Sequence, residues 1–190
     1  MAITTRLRND AQSYGWMMIG IHWLMAIAII GLYALGLYIV DLTYYDPEYK
    51  TMPNLHRSIG ILVLIALALR LAWKIGDRTP RPLASHGPLV RLATGAAHGL
   101  LYLLMLVTLV AGYLISTADG RPIEVFDWFQ VPASPLQYDG QEDIAGWVHY
   151  WSATALIALA GLHALAALKH HFLDKDATLK RMFGITKETT

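Results

Sequence analysis

Eight histidines and no cysteine bound the chemistry open to this 190-residue chain. Without thiolates, disulfides, cysteine-ligated zinc, iron–sulfur clusters and covalent C-x-x-C-H haem attachment are all excluded, so any metal chemistry rests on imidazole. Five of the histidines, His22, His56, His98, His149 and His163, lie inside long apolar stretches. An ionisable side chain there is costly and is by default a functional candidate. A single such ring is as well explained by a hydrogen bond to a neighbouring helix, so spacing has to decide. His149 and His163 are 14 residues apart. At 100° per residue that is nearly four turns, which puts both rings on one helix face about 21 Å apart along the axis.

Uncharged apolar runs supply the elements that must position these rings. Met17–Val40, Leu92–Ala118 and Ile144–Leu168 run for 24, 27 and 25 residues without a charge, and about 20 are enough to cross a hydrocarbon core as a helix. A fourth run, Ser58–Leu69, is shorter but flanked by Arg57, Arg70 and Lys74, whose long side chains can snorkel to the interface. Lipid offers no partner to backbone amides, so these runs must be helical. The reading is an all-α membrane protein, a single domain over 1–190. Its four-transmembrane-helix bundle has helices at about 15–40, 54–75, 91–118 and 144–171. The bulk composition agrees: 55% hydrophobic residues, 15% charged and a mean hydropathy of +0.40. With 15 Lys+Arg against 14 Asp+Glu, no nucleic-acid partner is expected; the expected surroundings are membrane lipid.

Charge placement predicts the direction. With a cytoplasmic N-terminus, that side carries twelve cations: Arg6, Arg8, Arg70, Lys74, Arg78, Arg81, Arg91, Lys169, Lys175, Lys180, Arg181 and Lys187. The other side keeps three, Lys50, Arg57 and Arg121. This asymmetry predicts both termini cytoplasmic in a multi-pass protein of the bacterial inner membrane. Trp16, Trp73, Trp128, Trp147, Tyr44 and Tyr45 fall near the expected boundaries. In the Pro- and Gly-rich Thr117–Gln141 segment, Trp128 and Phe129 are available to cap the outer face.

Depth then pairs the histidines. His56, at the outer start of the second helix, is level with His149, and His22, near the cytoplasmic start of the first, is level with His163. Each pair can clamp one metal macrocycle from two helices, which is what a bundle needs to hold two b-type haems across a membrane. His98 lies at the inner depth and could replace His22 as ligand, contact a haem propionate or simply pack; Gly95 and Gly99 beside it favour packing. Arg70, 14 residues after His56, and Arg57 are candidate propionate partners for the inner and outer haem. Gly60, one turn after His56, leaves room for a flat ring. His170 and His171 read as an interfacial basic cluster, and His86, in a Pro-flanked loop, has no evident role.

Four segments carry a family resemblance: IHWL (Ile21–Leu24), LHRSIGIL (Leu55–Leu62), WVHYW (Trp147–Trp151) and GLHALAALKHHF (Gly161–Phe172) with the trailing DKDATLKRM. In these the chain resembles the bacterial cytochrome b561 family of small dihaem inner-membrane proteins over almost its whole length. The resemblance implies four helices, two non-covalent haem b groups and the same His56/His149 and His22/His163 pairing. One member of that family resembles a superoxide oxidase passing electrons to ubiquinone, which makes superoxide:ubiquinone oxidoreduction a candidate activity.

Two imidazoles per iron leave no open coordination position, so the expected chemistry is outer-sphere electron transfer. Quinone and a periplasmic redox partner, either a small molecule or a protein, are the expected ends of the path. Two other classes use the same features. A haem-bearing anchor subunit of a larger dehydrogenase would act only with its partner. A non-redox ion or proton transporter would usually show broken helices or intramembrane carboxylates, and the spans contain neither proline nor internal Asp or Glu.

Overall fold

A computed structural model describes residues 2–186; Lys187, among the cations counted above, lies outside them. In chain order the elements are β1 (Ala2–Ile3), α1 (Trp16–Val40), α2 (Thr51–Gly76), α3 (Pro88–Ser116), β2 (Ile123–Val125), β3 (Phe129–Val131), α4 (Gln141–Phe172), α5 (Thr178–Met182) and β4 (Ile185–Thr186). The four long helices have 25, 26, 29 and 32 residues, each apolar and long enough to span a membrane. The fold is thus helical with four membrane-crossing helices, as the apolar runs require.

The helix ends follow local chemistry. Proline marks two starts: α3 begins at Pro88, and α2, which begins at Thr51, three residues before its expected start at 54, carries Pro53 in its first turn. Proline fits there because a first-turn amide has no intrahelical acceptor to lose. The first turn of α4 holds Glu142 and Asp143 and its last turn Lys169, His170 and His171, each complementing the nearby end of the helix dipole. At the C-terminus of α3, the Ser116 hydroxyl donates to the Gly112 carbonyl (2.8 Å) and Thr117 to that of Tyr113 (2.9 Å). The first amides of α1 are capped from the chain itself, Trp16 donating to the Arg6 carbonyl (3.0 Å) and Met17 to that of Leu7 (3.3 Å). Only glycine fits just before them, since a Cβ on Gly15 would lie 2.4 Å from the Leu7 carbonyl oxygen.

The chain divides into two compact units, and each long helix contributes to both. One comprises Met1–Met25, Ala68–Leu101 and Ala158–Thr190; the other comprises Ala26–Leu67 and Tyr102–Ile157. In the first, β1 pairs antiparallel with β4, Ile3 opposite Ile185. The Trp23 indole donates to the Met182 carbonyl (2.8 Å) and stacks on Phe183 (5.0 Å between centroids), so the segment after α4 folds back on α1. The loop before α3 is tied down as well, through Arg81 N to the Ala11 carbonyl (2.9 Å) and the Arg181 guanidinium to the Arg81 carbonyl (2.9 Å).

In the second unit, β2 and β3 form a hairpin with Glu124 opposite Gln130, a feature that the helical reading did not foresee. Ile123 and the fully buried Val125 pack with Ile61 of α2. Ser58 bridges to the hairpin, accepting from the Phe126 amide at 3.0 Å and donating to the Glu124 carbonyl at 3.3 Å. Trp128 at the hairpin's turn is 71% exposed and packs against Phe126, with 5.1 Å between ring centroids. In a two-residue period, Ile123 and Val125 point one way and their neighbours point out.

Candidate cofactor site

In the second unit His56 of α2 faces His149 of α4, with ring centroids 6.1 Å apart and planes at 70°. Nδ1 of His149 lies 2.8 Å from the Thr108 carbonyl oxygen. A carbonyl only accepts, so Nδ1 carries the proton and Nε2 keeps a free lone pair. The clasp continues: the Thr108 hydroxyl donates to Ser152 (2.8 Å), which donates to the His149 carbonyl (3.2 Å).

Glycines of the two other helices back these rings. A Cβ on Gly112 of α3 would sit 3.0 Å from Nδ1 and Cε1 of His149, and one on Gly36 of α1 would sit 3.4 Å from Cε1 of His56. All four long helices therefore contribute to this pair. His56 Nδ1 is buried with no hydrogen-bond partner, an uncompensated polar atom of the kind a bound polar or metal-centred group explains. A Cβ on Gly60 would meet nothing within 4 Å, so the space beside His56 is open. Arg57 is hydrogen-bonded to Asn54 within its own helix.

In the first unit His163 of α4 meets His98 of α3, with centroids 5.2 Å apart and planes at 63°. His22 of α1 packs edge-on against Trp23 (5.3 Å), and its Nδ1 accepts from the Arg70 guanidinium at 3.4 Å. The depth argument thus gathers its residues here with one difference: His163 has its ring contact with His98, while His22 engages Arg70. A guanidinium only donates, so a ring accepting at Nδ1 keeps its neutral-form proton on Nε2, opposite to His149.

Outside the spans, His86 lies 2.9 Å from Asp176, and its ring centroid is 4.8 Å from that of His170. Sequence reasoning assigned His86 nothing; a histidine 84 positions before its neighbour in a proline-flanked loop leaves no periodic trace. Asp174 pairs with Lys169 (2.7 Å) and with His170 (2.6 Å). The Lys169 hydrogen bond, with help from His170, holds its carboxyl below the usual carboxylate range. Burial alone would raise Asp176; hydrogen bonds from Thr178 and His86 outweigh it, and the carboxyl ends below its ordinary value.

Residues 13–184 match the family model described as prokaryotic cytochrome b561. The chain belongs to the prokaryotic cytochrome b561 family. It is 49% identical over 176 residues to "Cytochrome b561 homolog 2" of Escherichia coli strain K12, covering 93% of this chain and 94% of that protein. It is also 28% identical over 173 residues to "Probable superoxide oxidase CybB" of Yersinia pestis, with 90% and 96% covered. Membership makes it a membrane-spanning electron-transfer protein of the bacterial membrane that uses b-type haem. The His56/His149 pair fits that cofactor. It offers two facing imidazoles, one with Nε2 freed by its carbonyl bond, one with an unpartnered buried nitrogen, and glycine behind each.

Proposed function

We propose that this cytochrome b561 family member carries electrons across the bacterial inner membrane by way of two non-covalent haem b groups, with both termini cytoplasmic. His56 and His149 hold the outer group, and His22 and His163 the inner one. His98 and Arg70 border the inner group and Arg57 the outer, with the cations placed for propionates. Bis-imidazole haem supplies one-electron chemistry with no open position for oxygen. The protein's own part is to fix ring orientation, exclude water and set the local field. Thr108 fixes the His149 tautomer, and Gly36 and Gly112 allow the rings to lie against their helices. The observation that carries this reading is the His56/His149 pair with Nδ1 of His149 committed to a backbone carbonyl.

Quinone is proposed as the partner on the cytoplasmic side and a periplasmic redox partner on the other. Similarity to the Yersinia pestis protein named as a probable superoxide oxidase supports superoxide as the periplasmic donor and ubiquinone as the acceptor. The decisive experiment is a reduced-minus-oxidised spectrum of the detergent-purified chain, with haem per polypeptide from the pyridine haemochrome. Two low-spin haem b per chain are expected, and pulsed superoxide should reduce them, with reoxidation by a short-chain ubiquinone. Absence of haem after expression with ample haem supply would overturn the proposal and return the histidines to a transporter or packing role. Haem reduction only in the presence of a co-purifying dehydrogenase subunit would favour an anchor role instead.

A further inference from the structure

Three polar side chains from separate segments converge in the first unit, and electron transfer uses none of them. His86 comes from the loop before α3, His170 from the last turn of α4 and Asp176 from the turn before α5. One nitrogen of each ring and one carboxylate oxygen lie within 4.8 Å of one another. Nε2 of His86 is 2.9 Å and Nδ1 of His170 3.7 Å from the same oxygen, Oδ2 of Asp176. The side chains of His86, His170 and Asp176 are only 14%, 17% and 8% exposed.

The chain prepares these groups before any ion arrives. Oδ1 of Asp176 accepts from the Thr178 amide at 2.8 Å, which turns Oδ2 towards the rings. The Asp176 amide in turn donates to the His170 carbonyl at 3.0 Å, fixing the carboxylate-bearing turn on the helix that carries His170. Lys175 between the two acids takes a left-handed φ of 54°, bending the chain tightly enough to bring Asp176 back to α4. On the opposite side, His86 N donates to the Leu83 carbonyl at 3.1 Å. Hydrogen bonds to a ligating carboxylate and a rigid backbone are the supports that metal sites use to orient their ligands.

Nε2 of His86 bonds to Oδ2 of Asp176, while Nδ1 of His170, 3.7 Å from that oxygen, is bonded at 2.6 Å to Oδ2 of Asp174, so each ring nitrogen facing the site is occupied by a proton. A divalent cation replaces both protons at a single point. Bonds of about 2.0–2.2 Å from imidazole nitrogen and carboxylate oxygen to a common centre put the donors roughly 3.0–3.6 Å apart. His86 and Asp176 stand at about that spacing already (2.9 Å), and Nδ1 of His170 reaches it by exchanging Asp174 for the ion. Two imidazoles and one carboxylate suit a borderline ion better than Mg2+ or Ca2+, which prefer oxygen alone.

We infer that His86, His170 and Asp176 form a binding site for a Zn2+-class divalent cation, which clasps the loop before α3 to the C-terminal segment. Three protein ligands leave a position for water or an exchanging ligand. Both rings bind as neutral imidazole, so affinity falls as the solution is acidified. Asp174, paired with Lys169, holds Nδ1 of His170 in the ion's absence and gives up that ring when the ion binds.

The test uses the full chain with its haem, purified through a tag without histidine, stripped with chelator and equilibrated with buffered free Zn2+. Zinc per chain is read by mass spectrometry and haem by its spectrum, so failure here and failure of the haem assignment are distinguishable. One zinc per chain is expected at low-micromolar free ion. The zinc K-edge absorption fine structure should show two imidazoles and one or two light oxygen scatterers. H86Q and D176N should each weaken binding by about tenfold or more, and H86Q with H170Q should abolish it. H171Q, one residue away, should leave zinc stoichiometry unchanged. Zinc should also slow tryptic cleavage after Lys175. No stoichiometric zinc below about ten micromolar, fine structure without an imidazole pair, or binding undiminished in the H86Q/H170Q chain (an adventitious ion only) would each overturn the inference.

Discussion

The His56/His149 pair and the His22/His98/His163 group are built from the same side chain and differ in how many arrangements they allow. At His149, a carbonyl bond sets the proton on Nδ1 and a glycine lies against the ring. Among the described residues, the His149 ring faces that of His56. In the other group, three imidazoles and Arg70 gather, His163 meets His98, and His22 turns its Nδ1 to a cation. A backbone acceptor prepares a ligand because it fixes the ring's tautomer and direction, whereas a guanidinium leaves Nε2 protonated in the neutral ring. On the proposed two-haem reading, the first site is preorganised and the second exchanges a partner when a haem binds. For a redox relay, two sites of unequal rigidity are a means to unequal potentials, since ligand orientation and nearby charge both tune haem iron.

The largest expected effect breaks the comparison outright. His149→Ala or His56→Ala should halve the haem content, from two groups per chain to one, while the remaining group keeps its low-spin spectrum. Pyridine haemochrome and low-temperature optical spectra read both quantities. Retention of two low-spin haems in either variant would sink the pairing.

The next effect sharpens the three-histidine group. His163→Ala should remove the second haem, and His22→Ala should do the same. His98→Ala should leave a low-spin haem in place with its midpoint potential moved. Electron paramagnetic resonance of the oxidised chains separates these outcomes. If His98→Ala gives high-spin iron and His22→Ala does not, His98 is the ligand, as its 5.2 Å contact with His163 permits.

Much of this was legible in the residues alone, for physical reasons. Crossing a membrane takes a long uncharged run, and four such runs stand out between charged loops. A 14-residue spacing returns to one helix face, so His149 and His163 were readable as two levels on α4. What neighbouring helices bring to those rings leaves no periodic mark. Thr108 and Gly112 are ordinary members of an apolar run until α3 is laid beside α4. Gly36 became informative only when His56 came to rest against it. The β2–β3 hairpin was obscured by flanking proline and glycine, and the alternation that places Ile123 and Val125 in the core is broken after three residues by Phe126. The sequence also placed His22 and His98 at the same depth without ranking their distances to His163, because rotation of α1 and α3 about their axes is set by packing.

The backing glycines offer a graded test of the preorganised site. A methyl group on Gly112 would lie 3.0 Å from the His149 ring, tighter than ordinary contact, whereas on Gly36 it would lie 3.4 Å from His56. Gly112→Ala should therefore push the ring off the Thr108 carbonyl and weaken haem retention by about tenfold, the lower end of the range for losing an orienting partner. Gly36→Ala should cost much less. The order, read from haem loss to apomyoglobin, matters more than either value. Equal rates would show that the glycines do not set ring position. Ser152→Ala belongs to the same series. It leaves the buried Thr108 hydroxyl without its acceptor, for a loss of about 1–2 kcal/mol in stability, with haem content unchanged.

The smallest effect concerns the turn that follows α4, and its sign follows from Asp176. That carboxyl lies below its ordinary value of 3.8 because hydrogen bonds from Thr178 and His86 outweigh its burial. A group depressed on folding contributes stability that is fully present above its unfolded value and disappears as pH falls through the folded one. With metal removed, segment 173–182 should therefore keep its amide protection from neutral pH down to about 4 and lose it below. Hydrogen exchange corrected for intrinsic rates measures this directly, and Asp176→Asn should remove the step. Loss of protection already at pH 6 would mean that the rings, not the carboxylate, control the turn. That outcome would leave the two intramembrane histidine groups untouched, because neither shares a residue with it.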